Sequence, residues 1–338
     1  MKLALITGIS GQDGSYLANF LLKKKYKIIG LDRRSSRNQN WRLDYFGIAN
    51  KIVIEHSDLL EQDSLFRIFK NYHFDEVYNL ASQSFVASSF DTPLITSDIN
   101  ALGTIRLLEI IRNLNKKIKF YQASSSEMFG KVLDIPQNEK TPFNPASPYA
   151  ISKLFSYFIA KNYRDSYGMF VCNGILFNHE SPLRGEEFVT KKITKSLKQI
   201  KDGTIKCLYL GNIYSKRDWG FAGDYVEAMW KMMKKKKSSD YVVATGKQYS
   251  VKDFVNESAK YFGFNIIWKG KGSNEVGYDK IKKKVIVRID KKLYRPSEVN
   301  NLLGNFSKAR NQLNWIPKVN FDQLVKMMCK CESNSIKK

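Results

Sequence analysis

The sequence predicts an α/β fold, a doubly wound parallel sheet followed by a smaller C-terminal domain. Three observations lead there. Up to about Asn178, short apolar runs alternate with longer amphipathic ones, the pattern of βαβ units. A glycine-rich segment, Gly8-Ile9-Ser10-Gly11-Gln12-Asp13-Gly14, joins the first apolar run to the first amphipathic one. Beyond Asn178 the texture changes to shorter elements, loops and scattered prolines. Strands are expected at residues 3–7, 27–31, 52–55, 76–80, 119–123 and 170–176, because each is a short apolar run of strand length. The amphipathic stretches between them read as helices at 14–24, 64–72, 101–113 and 148–167. Then follow a helix at 190–201, a strand at 207–210, a helix at 221–235, a strand at 241–244 and a helix at 251–262. Residues 332–338 read as a frayed end. The expected division is a nucleotide-binding domain over 1–177 and a domain over 178–338 that closes a cleft against it, with some segments returning to the first.

Composition narrows the class. The chain has 338 residues, 43% hydrophobic and 13% aromatic, too apolar for a disordered protein and long enough for a real core. No apolar run approaches the ~18–20 residues of a membrane span, so no membrane association is expected. Met1 to Gly8 runs straight into the glycine motif and reads as the first strand, not a signal peptide. Cys172, Cys207, Cys329 and Cys331 show neither disulfide-framework nor zinc spacing. No metal is expected, and a reducing cytoplasm is the simplest location. The net charge is +24, and basic clusters recur at 23–25, 191–192, 234–237, 282–284 and 337–338. A nucleic-acid reader gathers such charge on one face beside a groove-binding motif. Here it is spread along the chain as solvated surface, so nucleic acid is not an expected partner. The charge can still attract an anionic substrate.

The glycine segment follows a strand and opens a helix, the context of a Rossmann-type dinucleotide site. Glycines permit the tight turn and let backbone N–H groups approach a pyrophosphate at the helix N-terminus. Its GxxGxxG spacing is the variant of short-chain dehydrogenases. Asp32 ends the second strand, where an acid accepts from adenosine ribose hydroxyls. Arg33-Arg34-Ser35-Ser36 follows directly and can hold a 2′-phosphate by charge-assisted bonds. Asp58-Leu59 and Leu80-Ala81-Ser82 follow the third and fourth strands, at the adenine and nicotinamide-ribose positions of this fold.

Tyr149-Ala150-Ile151-Ser152-Lys153 puts tyrosine and lysine at i and i+4, on one face of a helix. An ammonium beside a phenol favours tyrosinate and is expected to lower the Tyr149 pKa towards working pH. Such a tyrosine can take a hydroxyl proton while hydride leaves the same carbon. Upstream, Gln122-Ala123-Ser124-Ser125-Ser126-Glu127 ends the fifth strand, so Ser125 should face the cleft and hold a substrate oxygen against Tyr149. Glu127 lies in reach of the same site. Simple alcohol oxidation has no use for that carboxylate, whereas elimination of water from C5–C6 does.

With these residues placed, the sequence resembles the GDP-mannose 4,6-dehydratase family from end to end. The resemblance is carried by the stretches 4–18, 33–36, 79–86, 120–131, 147–153, 172–193, 217–220 and 295–299, and above all by Asn178-His179-Glu180-Ser181-Pro182. It implies that Ser125, Glu127, Tyr149 and Lys153 do the chemistry. It also implies cofactor contacts at Gly8, Ile9, Ser10, Gly11, Gln12, Asp13, Arg33, Arg34, Ser35 and Ser36. Further cofactor positions are Asp58, Leu59, Leu80, Ala81, Ser82, Gln83, Ser84, Tyr149, Lys153, His179 and Arg184. GDP-sugar contacts are implied at Asn178, Val189, Lys192, Arg217, Arg295 and Glu298. Arginines suit the diphosphate through bidentate bonds, and Glu298 can accept from a hydroxyl. The family's loop at 33–36 helps form a tetramer, so a homo-oligomer, tetramer or dimer, is implied.

The chain departs from the family at Ser125, which replaces threonine and keeps the hydroxyl, and at Phe129, Ala146 and Phe221, which replace tyrosine, arginine and histidine. Asp32 stands where the family has an uncharged or basic residue. The cofactor expected is NADP, on the strength of Arg33 and Arg34, with NAD as the alternative that Asp32 favours. The expected reaction is conversion of GDP-mannose to GDP-4-keto-6-deoxymannose by C4 oxidation, loss of water across C5–C6 and hydride return to C6. The alternatives are the same dehydration of a GDP-manno-heptose, C4 oxidation alone, or a non-catalytic relative.

Overall fold

The computed structural model describes residues 1–36 and 38–334. Seven strands form one sheet in the order Asp240–Val243, Val171–Leu176, Lys119–Ser125, Glu76–Asn79, Leu3–Thr7, Lys27–Asp32 and Val53–His56. All are parallel. The chain winds outward from Leu3–Thr7 to Val53–His56, returns to pair Glu76–Asn79 with the other side of the first strand, and continues the opposite way. This reversal opens a crevice at the carboxyl ends of the strands.

Both faces of the sheet are covered along its middle, so the inner strands are buried on both sides instead of alternating, while the edge strand Val53–His56 is not. Leu5, Ile29, Val77, Phe120 and Val171 face a core shared with the helices Gln62–Asn71 and Gly103–Leu114. Ala4, Ile6, Ile28, Tyr78 and Tyr121 face the other core, with Leu17 and Leu21 of Gln12–Lys23 and Tyr225 and Met229 of Ala222–Met233.

The first six strands and the helix Pro148–Tyr167 lie within two residues of their expected bounds. The helix expected at 101–113 is longer and irregular: Pro93–Ser97, a widened turn at Asp98–Leu102, then Gly103–Leu114. The strand Asp240–Val243 adds a seventh position to the large sheet. Its first residue explains the docking. The buried Asp240 carboxylate accepts from both terminal nitrogens of Arg164, at 2.7 and 2.9 Å, from Asn173 Nδ2 at 2.9 Å and from the Tyr157 hydroxyl at 3.2 Å.

A second sheet runs Ile266–Lys269, Val276–Asp279, Lys284–Ile289 and Leu208–Leu210. Helices Val189–Asp202, Val251–Phe262 and Phe321–Asn334 pack on it through Ile193, Leu197, Phe254, Leu324 and Met328. Its three consecutive antiparallel strands were not expected from the sequence, because lysines interrupt the apolar pattern and only one side is buried. The expectation of a frayed end at 332–338 is corrected for Glu332, Ser333 and Asn334, which complete the last helix. Met328 and Cys329 anchor that helix in the core, and Glu332 pairs with Lys191 at 2.5 Å. Lys191 is therefore no solvated lysine: it is buried and also donates to the Pro182 carbonyl at 2.9 Å. Residues 335–338, including Lys337 and Lys338, lie outside the described residues. Among the described residues no helix is long and apolar enough to cross a membrane.

Arg164→Ala strips a buried carboxylate of its cation, so it should cost about 3–5 kcal/mol. Burial alone would raise the Asp240 pKa, but Arg164, with Asn173 and Tyr157, holds it below the ordinary carboxylate value. The stabilisation is thus present above the unfolded pKa and lost as pH falls through the depressed folded one. Urea titrations of both proteins at neutral and acid pH should show the gap closing towards acid; a pH-independent gap would count against this pairing.

Candidate active site

The crevice is a cleft of about 1090 Å³. One wall is the glycine segment. Gly8 has φ +67°, and a Cβ there would stand 3.0 Å from the backbone of Ala81. Its N–H donates to the Leu31 carbonyl at 2.9 Å, and Gly11 N–H returns to the Gly8 carbonyl at 3.0 Å. A Cβ on Gly14 would be 2.3 Å from the Gly8 carbonyl oxygen, so helix and turn can pack this closely only without a side chain. The helix Gln12–Lys23 begins with no side-chain cap, leaving first-turn N–H groups for an anion.

The side chains of this turn reach across to the chain leaving the sixth strand. Gln12 Nε2 donates to the His179 carbonyl at 3.1 Å, and Gln12 Oε1 accepts from the Ser181 hydroxyl at 2.8 Å. Asp13 Oδ2 lies 2.7 Å from His179 Nε2, whose ring Nδ1 lies 2.8 Å from the Phe177 carbonyl oxygen. Arg42 adds two bonds, to the Ser10 carbonyl at 3.0 Å and the Leu183 carbonyl at 2.8 Å. The sequence reading missed Arg42, which follows a loop and has no motif to announce it.

A buried polar chain fixes the cleft floor. Thr7 Oγ1 donates to Asn79 Oδ1 at 2.8 Å and accepts from Leu80 and Ala81 N–H, both at 3.0 Å. Asn79 Nδ2 continues to Gln122 Oε1 at 2.9 Å. Asn100, in the widened turn, accepts from the Ser82 hydroxyl and Gln83 N–H at 2.9 Å and donates to the Gln83 carbonyl at 3.1 Å and Ser152 Oγ at 3.0 Å. Ser152 in turn donates to the Tyr149 carbonyl at 2.8 Å. Asn100 was also missed. Its signal is a polar residue inside an otherwise apolar helical stretch.

Ser125, Glu127, Tyr149 and Lys153 converge on the cleft. Ser125 caps the turn Ser126–Phe129, accepting from Glu127 N–H at 3.2 Å, with its hydroxyl near the Tyr149 phenol. Lys153 Nζ donates to the Ala123 carbonyl at 3.0 Å and lies 5.9 Å from the Tyr149 ring centre. The expectation that Lys153 lowers the Tyr149 pKa is corrected here. Burial dominates and pushes the phenol up to about 12, against the Ser125 hydroxyl. Burial likewise brings Lys153 down to about 8, against the attraction of Asp13. Glu127 is buried, with Arg217 Nε 4.0 Å from one carboxylate oxygen and Arg295 Nη1 3.9 Å from the other. Arg217 is itself lowered by burial, an effect that Glu127 opposes. Glu298 accepts from Arg295 N–H at 3.0 Å, setting the loop that brings Arg295 in.

The remaining expected positions divide. Ser10, Asp32, Arg33, Asp58, Leu59, Leu80, Ala81, Ser82, Gln83 and Ser84 line the cleft, as do Asn178, Arg184, Val189 and Lys192. Arg34, Ser35 and Ser36 are exposed and off its wall, because the chain leaves the sheet there. The Ile9 side chain is buried in the core beneath Gly30, so only its backbone faces the loop. Asp32 Oδ1 accepts from Arg33 N–H at 2.9 Å. Arg184 stacks on Phe188 at 3.5 Å and pairs with the buried Glu180 at 3.0 Å. Gln83 Oε1 and Asn178 Oδ1 are buried at the cleft with no hydrogen-bond partner among the described residues. Among those residues no group of His, Cys, Asp and Glu is arranged to hold a metal ion.

A glycine turn at a sheet reversal, with a serine at a strand end and a tyrosine and a lysine in the first turns of the helix Pro148–Tyr167, defines a short-chain dehydrogenase/reductase fold. The chain matches the family described as GDP-mannose 4,6 dehydratase over residues 5–328, and it belongs to that family. The human GDP-mannose 4,6 dehydratase is 48% identical over 335 residues, 97% of this chain and 90% of that protein. Two solved structures share the fold. The dTDP-glucose 4,6-dehydratase of Bacillus anthracis, in complex with NAD, has TM-score 0.81 at 21% identity, covering 99% of this chain and 97% of that one. RMD of Pseudomonas aeruginosa, complexed with NADPH, has TM-score 0.76 at 20% identity, covering 98% and 99%.

Asn100→Ala should leave the Gln83 N–H without a partner and the Ser82 hydroxyl with the Gln83 carbonyl alone, at about 1–3 kcal/mol for the part-buried group left unpaired. Chemical denaturation reads this directly, and an unchanged midpoint would show that the turn is held by other contacts.

Proposed function

We propose that the chain converts GDP-mannose to GDP-4-keto-6-deoxymannose, a hydro-lyase reaction with an internal redox cycle. One observation carries this reading: a buried carboxylate, Glu127, beside the Ser125–Tyr149 pair and held by two arginines. A dehydrogenase that stopped at C4 would bury that carboxylate to no purpose.

In this reading residues 1–177 hold a nicotinamide dinucleotide and residues 178–338 mainly supply the GDP-sugar contacts. The residues fit a dinucleotide. The glycine turn presents the uncapped first turn of Gln12–Lys23 to the cleft, and Gln83 Oε1 is a buried acceptor in want of a donor. Bound there in oxidised form, the dinucleotide supplies the hydride acceptor for C4, the hydride returned to C6, and a positive charge that favours tyrosinate. Ser125 donates to O4 and holds it against the Tyr149 oxygen, which takes the hydroxyl proton. The resulting ketone acidifies C5–H. Glu127 removes that proton and delivers it to the departing C6 hydroxyl, so that water leaves; when C6 receives hydride, the proton that Tyr149 took from the C4 hydroxyl is returned to C5, which restores the tyrosinate. Arg217, Arg295 and Lys192 suit the diphosphate, and Asn178 Oδ1 can accept from a substrate hydroxyl or N–H.

NADP is the proposed dinucleotide. Arg33 lies on the cleft wall with Arg34 exposed next to it, and Asp32 is partly occupied by Arg33 N–H. The proposed homo-oligomer is supported by one helix face: Ile151, Phe155 and Phe158 of Pro148–Tyr167 are 57%, 43% and 52% exposed, at the spacing of a single stripe. A second copy of this chain is the occupant proposed for it. The four cysteines form no disulfide, which fits a reducing cytoplasm.

Glu127→Gln should separate the half-reactions. Cofactor reduction by GDP-mannose should persist, while mass spectrometry should find little product short of one water, a deficit of about 10²–10⁴-fold. Wild-type dehydration by that variant would remove Glu127 from the mechanism. Dinucleotide released by denaturing purified protein should have the mass of NADP; the mass of NAD would make Asp32 the residue that reads the ribose. Phe158→Glu should shift the sedimentation coefficient towards monomer, and an unchanged value would exclude this helix face as the interface.

A further inference from the structure

Asp13 occupies a position that should disfavour phosphate. It lies in the first turn of Gln12–Lys23, where free N–H groups and the helix dipole draw an anion. A bare carboxylate there would compete with a pyrophosphate for those groups and repel it.

The hydrogen-bond geometry shows how that charge is answered. His179 Nδ1 lies 2.8 Å from the Phe177 carbonyl oxygen, which can only accept, so Nδ1 carries a proton. His179 Nε2 lies 2.7 Å from Asp13 Oδ2, a distance at which two lone pairs would repel, so a second proton lies between them. Carboxylate and imidazole together therefore hold two protons and carry no net charge. The ring cannot turn away, because it stacks on Tyr225 at 4.6 Å and 25°.

We propose that His179 is a positioning residue, the counter-ion that cancels the Asp13 charge and makes the first helical turn able to accept a diphosphate. This role rests on the reading that the glycine loop holds a nicotinamide dinucleotide. It also assigns the ring of His179 to Asp13 and the Phe177 carbonyl in place of direct contact with the dinucleotide. The phosphate-binding property of the N-terminal turn then depends on a residue 166 positions later. That residue belongs to the segment carrying Asn178, Arg184 and Val189, so nucleotide and sugar sites share one electrostatic element.

Other charged groups face the pair from the elements around it. Lys153 feels Asp13 from the helix Pro148–Tyr167, and Arg184 faces both members, itself paired with Glu180. Burial alone would lower the His179 pKa, but Asp13 and the Phe177 carbonyl raise it above its ordinary value, against Arg184. Burial would raise Asp13, but His179, Gln12 and Arg184 hold it down. The pair is neutral between the lowered Asp13 pKa and the raised His179 pKa. It becomes anionic as pH rises through that raised value, and dinucleotide affinity should fall in the same interval.

The chain has three histidines, and His56 and His73 are exposed, so nitrogen-15 NMR of labelled histidine can resolve His179. On titration one imidazole should keep hydrogen on both nitrogens to a higher pH than free histidine does, a signal absent from His179→Asn; an Nε2 that loses its hydrogen at or below the pH of free histidine would overturn the proposal. In titrations with NADP and NAD, His179→Asn should weaken binding at least about tenfold through the uncompensated charge. Asp13→Asn/His179→Asn should recover to within about threefold of wild type, as coupled charges do when both are removed. A double variant that is folded by circular dichroism but no better than His179→Asn overturns the counter-ion role alone. Wild-type protein that binds neither dinucleotide sinks the cofactor reading and this role with it. If His179→Asn fails to fold, the wild-type NMR measurement still decides.

Discussion

The buried weld between the glycine turn and the chain leaving the sixth strand is the constraint on which the rest of the cleft depends. Gln12, Asp13 and Arg42 on one side meet His179, Ser181 and Leu183 on the other. Each bond is individually modest, but all of them are shielded, and a buried donor or acceptor left unpaired costs more than the bond itself contributes. The two segments therefore keep one relative placement. Everything that must face the nucleotide-binding half, from Asn178 to Lys192, leaves the sheet through this junction, so the weld sets where the second half of the chain can put its side chains.

Burial then decides the electrostatics. Tyr149 and Lys153 are both pushed towards their neutral forms, and the lysine does not act on the phenol as strongly as their sequence spacing implies. Lys153 is held by the Ala123 carbonyl, a peptide of the same strand that delivers Ser125. Tyr149 is thus set to change charge only when a cation arrives beside it, which links proton transfer to occupancy of the cleft. Glu127 faces the opposite environment, with two guanidinium groups near contact distance. An acid and a base within one cavity are thus both held in their neutral forms, next to a carboxylate faced by two cations.

The large positive charge has no single destination. Lys191 is consumed in structure by Glu332 and the Pro182 carbonyl, and Lys234 by the buried Glu76 and the Tyr26 hydroxyl. Arg164 pins the seventh strand by its bond to Asp240. These cations compensate interior carboxylates, a use invisible in a count of charges because the partners are far apart in sequence.

By itself the sequence determined what depends on neighbours along the chain. The inner strands were legible because burial on both faces favours apolar runs, and the edge strand Val53–His56 by its place in the alternation of short and long segments. The glycine turn was legible because glycine suits the φ of Gly8 and only glycine the contact at Gly14, and Tyr149 and Lys153 because a helix puts i and i+4 on one face. The strands between Ile266 and Ile289 and the ordering of Glu332 were not, since each is stabilised by packing against distant residues and not by its own pattern. The same holds within the cleft. Glycines, tyrosine, lysine and glutamate announce themselves, whereas Asn100, Arg42 and the pairing of Asp13 with His179 exist only once the sheet has brought separated strand ends together. The tertiary structure decided the charge states as well, because desolvation belongs to a place in the fold and not to a residue type.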